Sequence, residues 1–122
     1  MQLVDTNVFI DHFRNYSLAT AFFESLDEES IFSAISEAEL ISGQQCALPE
    51  KKKYILQFLG RWRKIEVSNQ IAVLAGDIVR EHPIELADAI IAATALIHKA
   101  ELLTRNVKHF SMIKNLVVKS PY

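Results

Sequence analysis

Three carboxylates and one amide stand at comparable places along the chain: Asp5, Glu39, Asp88 and Asn106. Asp5 closes a short apolar run, Leu3-Val4, and Asn106 follows Leu102-Leu103-Thr104 by two residues. Glu39 lies in the first turn of a helix that is predicted to start at Ser36, and Asp88 stands near the start of the apolar segment Leu86-Ala87-Asp88-Ala89-Ile90-Ile91. Carboxylates gathered at one place repel and raise one another's pKa unless a cation neutralises them. Hard oxygen donors of this kind suit Mg²⁺ or Mn²⁺, ions that hold phosphates and activate water for in-line attack. Each residue also has a purely structural reading. Asp5, with Thr6 and Asn7, can cap the helix that follows. Glu39 can be the capping-box partner of Ser36, and Asn106 fits a turn after a strand. Asp88 is harder to place that way, because a carboxylate on a buried helix needs a partner. Glu37 is a rival to Glu39, but two residues along a helix it points to a different side.

The elements that must position these residues follow from apolar spacing. Leu3-Val4, 30–35, 101–105 and 116–119 read as strands, with 65–67 a weaker candidate. Phe9, Ile10 and Phe13 have helical spacing, and Ser17 is a candidate cap for a helix carrying Phe22, Phe23 and Leu26. Segments 50–59, 69–81 and 86–99 carry helical periods, the second ended by Pro83 and the third apolar on most sides. Strands separated by helices imply βαβ units. The expected fold is therefore α/β: one domain over 1–122, with a mostly parallel central sheet of four to five strands and helices on both faces. Such sheets bind ligands beyond the carboxyl ends of their strands, near the switch in strand order. In a parallel sheet Asp5, Glu39 and Asn106 share that edge, and Asp88 joins them if its helix begins there.

Composition narrows the function. The 122 residues are half apolar and 23% charged, which excludes a disordered chain. Thirteen basic against fifteen acidic residues give a formal charge of −2, so nucleic acid is not held by bulk charge. Cys46 is the one cysteine, so no internal disulfide forms, and a reducing, cytoplasmic setting is expected. The first residues lack the basic region of a signal peptide, and the longest apolar stretch, 89–97, is too short to span a bilayer. Arg14, Arg61, Arg63, Lys64, Arg105 and Lys108 are candidate phosphate contacts. Lys51-Lys52-Lys53 reads as a solvated face, and Trp62 as packing, with base stacking the alternative. His12, His82, His98 and His109 have no metal-like spacing and are assigned no catalytic role.

In order along the chain, four segments resemble the motifs of the PIN-domain family: Asp5-Thr6-Asn7-Val8-Phe9-Ile10-Asp11, Ser36-Glu37-Ala38-Glu39-Leu40-Ile41-Ser42-Gly43, Leu86-Ala87-Asp88-Ala89-Ile90-Ile91-Ala92-Ala93-Thr94-Ala95 and Leu103-Thr104-Arg105-Asn106-Val107-Lys108-His109-Phe110. The third is the most specific, and the nearest type is the VapC-like ribonuclease toxin of toxin–antitoxin pairs. The resemblance implies a metal-dependent endoribonuclease. It implies Asp5 and Asp88 as direct Mg²⁺ (or Mn²⁺) ligands and Glu39 as completing the acidic site, by ligation or by orienting water. Asn106 takes the fourth position, where family members often carry Asp, and an amide there weakens any second metal site. Thr6 and Thr104 are expected to support the site through their hydroxyls. The implied partners are RNA, a second copy of the chain and a small antitoxin, with Phe9, Phe13, Phe22, Phe23 and Tyr54 as candidates for its groove. Two other readings stay open. One is a catalytically silent PIN-like binding module. The other is a phosphate-handling signalling domain, against which stand Asn7, where a phosphatase would carry a second Asp, and the placement of Lys108.

Overall fold

Five short strands and seven helices make up the computed structural model, which describes residues 1–122. In chain order they are β1 (Gln2–Val4), α1 (Thr6–Phe13), α2 (Ser17–Ser25), β2 (Ile31–Ser33), α3 (Ala34–Ile41), α4 (Pro49–Leu59), β3 (Arg63–Ile65), α5 (Asn69–Glu81), α6 (Leu86–His98), β4 (Glu101–Leu103), α7 (Val107–Phe110) and β5 (Val118–Lys119), with a 3-10 turn at Gln44–Ala47. The strands form one sheet in the order β3-β2-β1-β4-β5, and every pairing is parallel. The chain builds outward from β1 through β2 to β3, then returns to the other side of β1 for β4 and β5. The strand order therefore switches between β1 and β4, which places the ligand crevice at their carboxyl ends.

Because successive strand residues face opposite sides, the two faces collect separate cores. Leu3, Ile31 and Leu102 pack with Ile71, Ala75 and Ile78 of α5 and with Ala89, Ile91, Ala92, Ala93 and Ala95 of α6. Val4 and Phe32 face the other way, onto Val8, Phe9, Phe23, Leu40, Ile55, Phe58, Leu59 and Trp62. Phe9 joins the rings of this second core, with centroids 4.9 Å from Phe23, 5.7 Å from Phe32, 6.4 Å from Phe58 and 6.3 Å from Trp62. Trp62 is thus a packing residue, and the Arg61 guanidinium lies over its ring at 4.8 Å. Phe9 and Phe23 are equally buried, so neither can line a surface groove. No helix is long and apolar enough to cross a membrane.

The helix at 69–81 runs over the predicted residues, capped by Ser68, whose Oγ accepts from Ile71 N at 3.2 Å. Elsewhere boundaries move. The strand predicted over 30–35 ends at Ser33, whose Oγ accepts from Ile35 N at 3.1 Å and caps α3. Ser36 is therefore inside the helix, and the capping box with Glu39 does not form. Ser17 is likewise the first residue of α2, and Tyr16 at its N-cap offers no side-chain hydrogen bond. The weak strand at 65–67 is displaced to Arg63–Ile65 because β2 fixes its register, Ile31 opposite Arg63 and Ser33 opposite Ile65. The strands predicted at 101–105 and 116–119 keep only Glu101–Leu103 and Val118–Lys119.

Phe9→Ala should remove a fully buried ring of the aromatic core and lower the unfolding free energy by about 3–5 kcal/mol, read from urea denaturation. Tyr54→Ala, at an exposed ring, should stay within about 0.5 kcal/mol of the parent. Equal effects at the two positions would refute Phe9 as a core residue.

Candidate active site

Asp5 is the first residue beyond central strand β1 and is only 4% exposed. Its backbone N–H donates to Leu103 O at 2.9 Å, fastening it across the switch point to β4. Its carboxylate is held on both oxygens: Oδ1 accepts from Thr6 N at 2.7 Å and Oδ2 from Thr104 Oγ1 at 2.8 Å. The capping role therefore holds, since Asp5 is the N-cap of α1, yet it explains only one of the two oxygens. Burial pushes the Asp5 carboxyl up to about 6 from 3.8, against the hydrogen bonds from Thr104 and Thr6, and the charges of Asp88 and Glu39 push it further the same way. Desolvation, rather than mutual repulsion, is the larger cause.

Glu39 approaches from α3. Thr6 Oγ1 lies 2.8 Å from Glu39 Oε1 and 2.8 Å from Ser36 Oγ. One hydroxyl proton serves one acceptor, and a carboxylate can only accept. Thr6 therefore donates to Glu39 and takes its own hydrogen bond from Ser36, which is fully buried. Glu37 points away, pairing with Lys64 Nζ at 3.0 Å. Asp88 lies in the first turn of α6, and the partner that a carboxylate on this helix requires is His109 of α7, whose Nε2 sits 3.0 Å from Asp88 Oδ2. Asn106 is exposed at the N-cap of α7 with no side-chain cap bond, and its backbone N donates to Thr104 Oγ1 at 3.0 Å. Thr104 Oγ1 also accepts from Asn7 Nδ2 at 3.3 Å, while Asn7 Oδ1 is buried without a partner. Asp88 and Glu39 thus each come within electrostatic reach of Asp5, and the backbone N–H of Asn106 joins Asp5 through Thr104.

Sequence reasoning missed His109, Ser36 and Asp11. Asp11 is a buried carboxylate of α1 whose Oδ1 accepts from Arg105 at 2.9 Å and whose Oδ2 accepts from the Tyr122 hydroxyl at 2.5 Å. Burial and that bond push the Tyr122 hydroxyl well above its usual range. Only its helical spacing from Val8, three residues back, hinted that Asp11 faces inward. Nothing in the spacing of His109 pointed to Asp88, twenty-one residues away. Of the expected phosphate contacts, Arg105 and Lys64 are engaged by carboxylates. Arg14 instead lines a groove of about 270 Å³ beside Glu39, with Ile10, Phe13, Leu40, Gly43, Gln44 and Gln45. Phe13 is thus the one ring of the expected five that lines this groove.

The donors available to a cation are oxygens. No three acidic, imidazole or thiol groups converge tightly enough to enclose an ion unaided, so a cation here would rest on one or two carboxylates and water, the usual manner of Mg²⁺. Asp5 and Asp88 fit that description. A carboxyl that burial holds near 6, with Asp88 and Glu39 raising it further, and the unpartnered Asn7 Oδ1 both favour it.

Comparison with known proteins agrees with this architecture. The family described as PIN domain matches residues 3–115. The chain is 34% identical, over 129 aligned positions, to Ribonuclease VapC10 of Mycobacterium tuberculosis, covering 100% of this chain and 93% of that protein. Among solved structures, a toxin–antitoxin complex from Klebsiella pneumoniae superposes with a TM-score of 0.86 at 32% identity, covering 100% of this chain and 98% of that one. VapBC2 from Rickettsia felis, bound to a DNA fragment from its promoter, gives a TM-score of 0.82 at 26% identity, with 98% and 97% covered.

A carboxyl whose folded value, about 6, exceeds its unfolded one, 3.8, binds its proton more tightly when folded. Its contribution to stability is complete below 3.8 and is lost as pH rises through about 6. In EDTA, Asp5→Asn should therefore be more stable than the parent at neutral pH, by at most roughly 3 kcal/mol, with the gap closing as the pH is lowered toward 4. Thermal melts across that range test this. A variant less stable than the parent at neutral pH would show that burial is not what dominates at Asp5.

Proposed function

Because the chain belongs to the PIN-domain family, we propose that it is a divalent-metal-dependent endoribonuclease that acts in the cytoplasm as the toxin of a toxin–antitoxin pair. The observation that carries this reading is the buried Asp5 carboxylate at the switch point, held on both oxygens by Thr6 N and Thr104 Oγ1, with Asp88 and Glu39 within electrostatic reach. Asp5 and Asp88 would hold the Mg²⁺ or Mn²⁺ ion. When bound, that ion supplies positive charge for the phosphate and makes water a stronger nucleophile near neutral pH.

The chain's own residues do the positioning. Thr6 N and Thr104 Oγ1 fix both oxygens of Asp5. The Ser36–Thr6 pair holds one oxygen of Glu39, and its other oxygen would orient water or complete the ion's surroundings. Asn106 occupies the fourth position as a neutral acceptor. Arg14, in the groove beside Glu39, and the exposed Lys108 offer positive charge to the RNA backbone. The same groove, apolar along Ile10, Phe13 and Leu40, is where a small antitoxin would lie. The toxin–antitoxin complexes among the similar structures support that partner, and a homodimer completes the assembly. A second reading, an RNA-binding module that does not cut, draws on the exposed amide of Asn106, where a fourth carboxylate would otherwise stand.

Total cellular RNA incubated with purified, antitoxin-free protein should be cut at a few positions in Mg²⁺ or Mn²⁺ and left intact in EDTA. Asp5→Asn and Asp88→Asn should each reduce cutting by about 100-fold or more. RNA that is bound but uncut by folded protein in either metal would favour the silent module, and cutting that survives EDTA and both substitutions would end the metal-nuclease reading.

A further inference from the structure

Each carboxylate of the site is tethered through an oxygen by a side-chain donor from a different segment: Thr104 Oγ1 holds Asp5 at 2.8 Å, Thr6 Oγ1 holds Glu39 at 2.8 Å, and His109 Nε2 holds Asp88 at 3.0 Å. We propose that His109 is a positioning residue, whose Nε2–H fixes the rotamer of Asp88 and thereby presents its other oxygen, Oδ1, to the cation. This rests on the metal-dependent reading above and adds to it a residue of the supporting shell.

The geometry sets this ring apart from the other histidines. His12 stacks on Phe58 with centroids 4.3 Å apart and meets Thr20 Oγ1 through Nδ1, away from the carboxylates. His109 sits on the one-turn helix α7, immediately after the Thr104–Asn106 segment that already serves Asp5. Its ring lies edge-on to Phe110, centroids 5.2 Å apart, and Phe110 is buried in the core beneath, so the imidazole has a fixed footing. The two partners are partly covered, with side chains 26% and 30% exposed, so water competes for the bond less than at an open surface. An ionised carboxylate only accepts, so the proton of this bond resides on Nε2. Without that donor the Asp88 side chain is free to turn about its χ angles, and a cation must order it on binding. Hydrogen-bonded partners of ligating groups typically contribute 10- to 100-fold to metal affinity.

The test measures Mn²⁺ affinity, by loss of the free-ion EPR signal, for the parent, His109→Ala and His109→Gln, each first shown to be folded by its thermal melt in EDTA. Gln carries an N–H donor close to where Nε2 stands and serves as the rescue. The proposal expects Mn²⁺ binding about 10-fold weaker in the Ala variant and largely restored in the Gln variant. Unchanged affinity in the Ala variant overturns it while leaving the metal reading intact. Equal weakening in both variants also overturns it, since the ring would then act as something other than a donor. A folded parent that binds no Mn²⁺ would overturn the metal reading, and this proposal with it.

Discussion

A carboxylate at the end of a central strand, 4% exposed, has given up nearly all of its water, and such a group is tolerated only if the protein replaces those contacts. Most of the site can be understood as that replacement. Thr6 supplies a backbone N–H from the first turn of α1, and Thr104 supplies a hydroxyl from beyond β4. Both residues are then used again. The Thr6 side chain continues to Ser36 and Glu39, and Thr104 Oγ1 receives Asn106 N and Asn7 Nδ2. One network thus joins segments that are up to a hundred residues apart in the chain, and its centre is the β1–β4 crevice where strand order reverses. The Thr6 N–H and the Thr104 hydroxyl leave Asp5 still raised to about 6, so the protein's own groups do not complete its electrostatic needs.

The cations nearby do not complete them either. Arg105 stands beside the site in sequence but spends one nitrogen on Asp11, and Lys64 is paired with Glu37. With a net charge of −2 overall, positive charge is kept around the acidic residues without entering among them. An acidic pocket of this kind discriminates. Negative charge gathered this way repels a phosphate and attracts positive charge.

How much of this could be read beforehand depended on whether the signal was local. Helix 69–81 was legible from its apolar spacing and from Pro83 beyond its end, and the structure places it there. The strand–helix alternation was legible in the apolar spacing, and Asp5 and Asp88 stood out because a carboxylate in or beside an apolar run is costly wherever it falls. The start of α3 was misplaced by two residues, since Ser33 and Ser36 are equally good caps in isolation and only pairing of β2 with its neighbours decides which one ends a strand. The same tertiary pairing moved β3 to Arg63–Ile65. His109 was invisible for a stronger reason: its meaning comes from a one-turn helix with too little periodicity to be predicted, folded against the start of a different helix. Asp11 was hidden because its partners, Arg105 and Tyr122, come from the far end of the chain.

Helix α6 also acts as a ruler. Ala89, Ala92, Ala93 and Ala95 are wholly buried, and methyl groups packed on so many sides leave the helix no room to slide or to roll. Asp88 projects from its first turn, so its height above the sheet is set by packing along the rest of the helix. The chain's tolerance of length change is accordingly uneven. A residue inserted between Pro83 and Asp88 would have either to bulge in the short connection or to turn the carboxylate about 100° around the helix axis, out of the site. A residue inserted in the exposed turn around Gln44 and Gln45 would displace groove lining alone. Variation in length among related chains should therefore collect in that turn and avoid the few residues that precede Asp88.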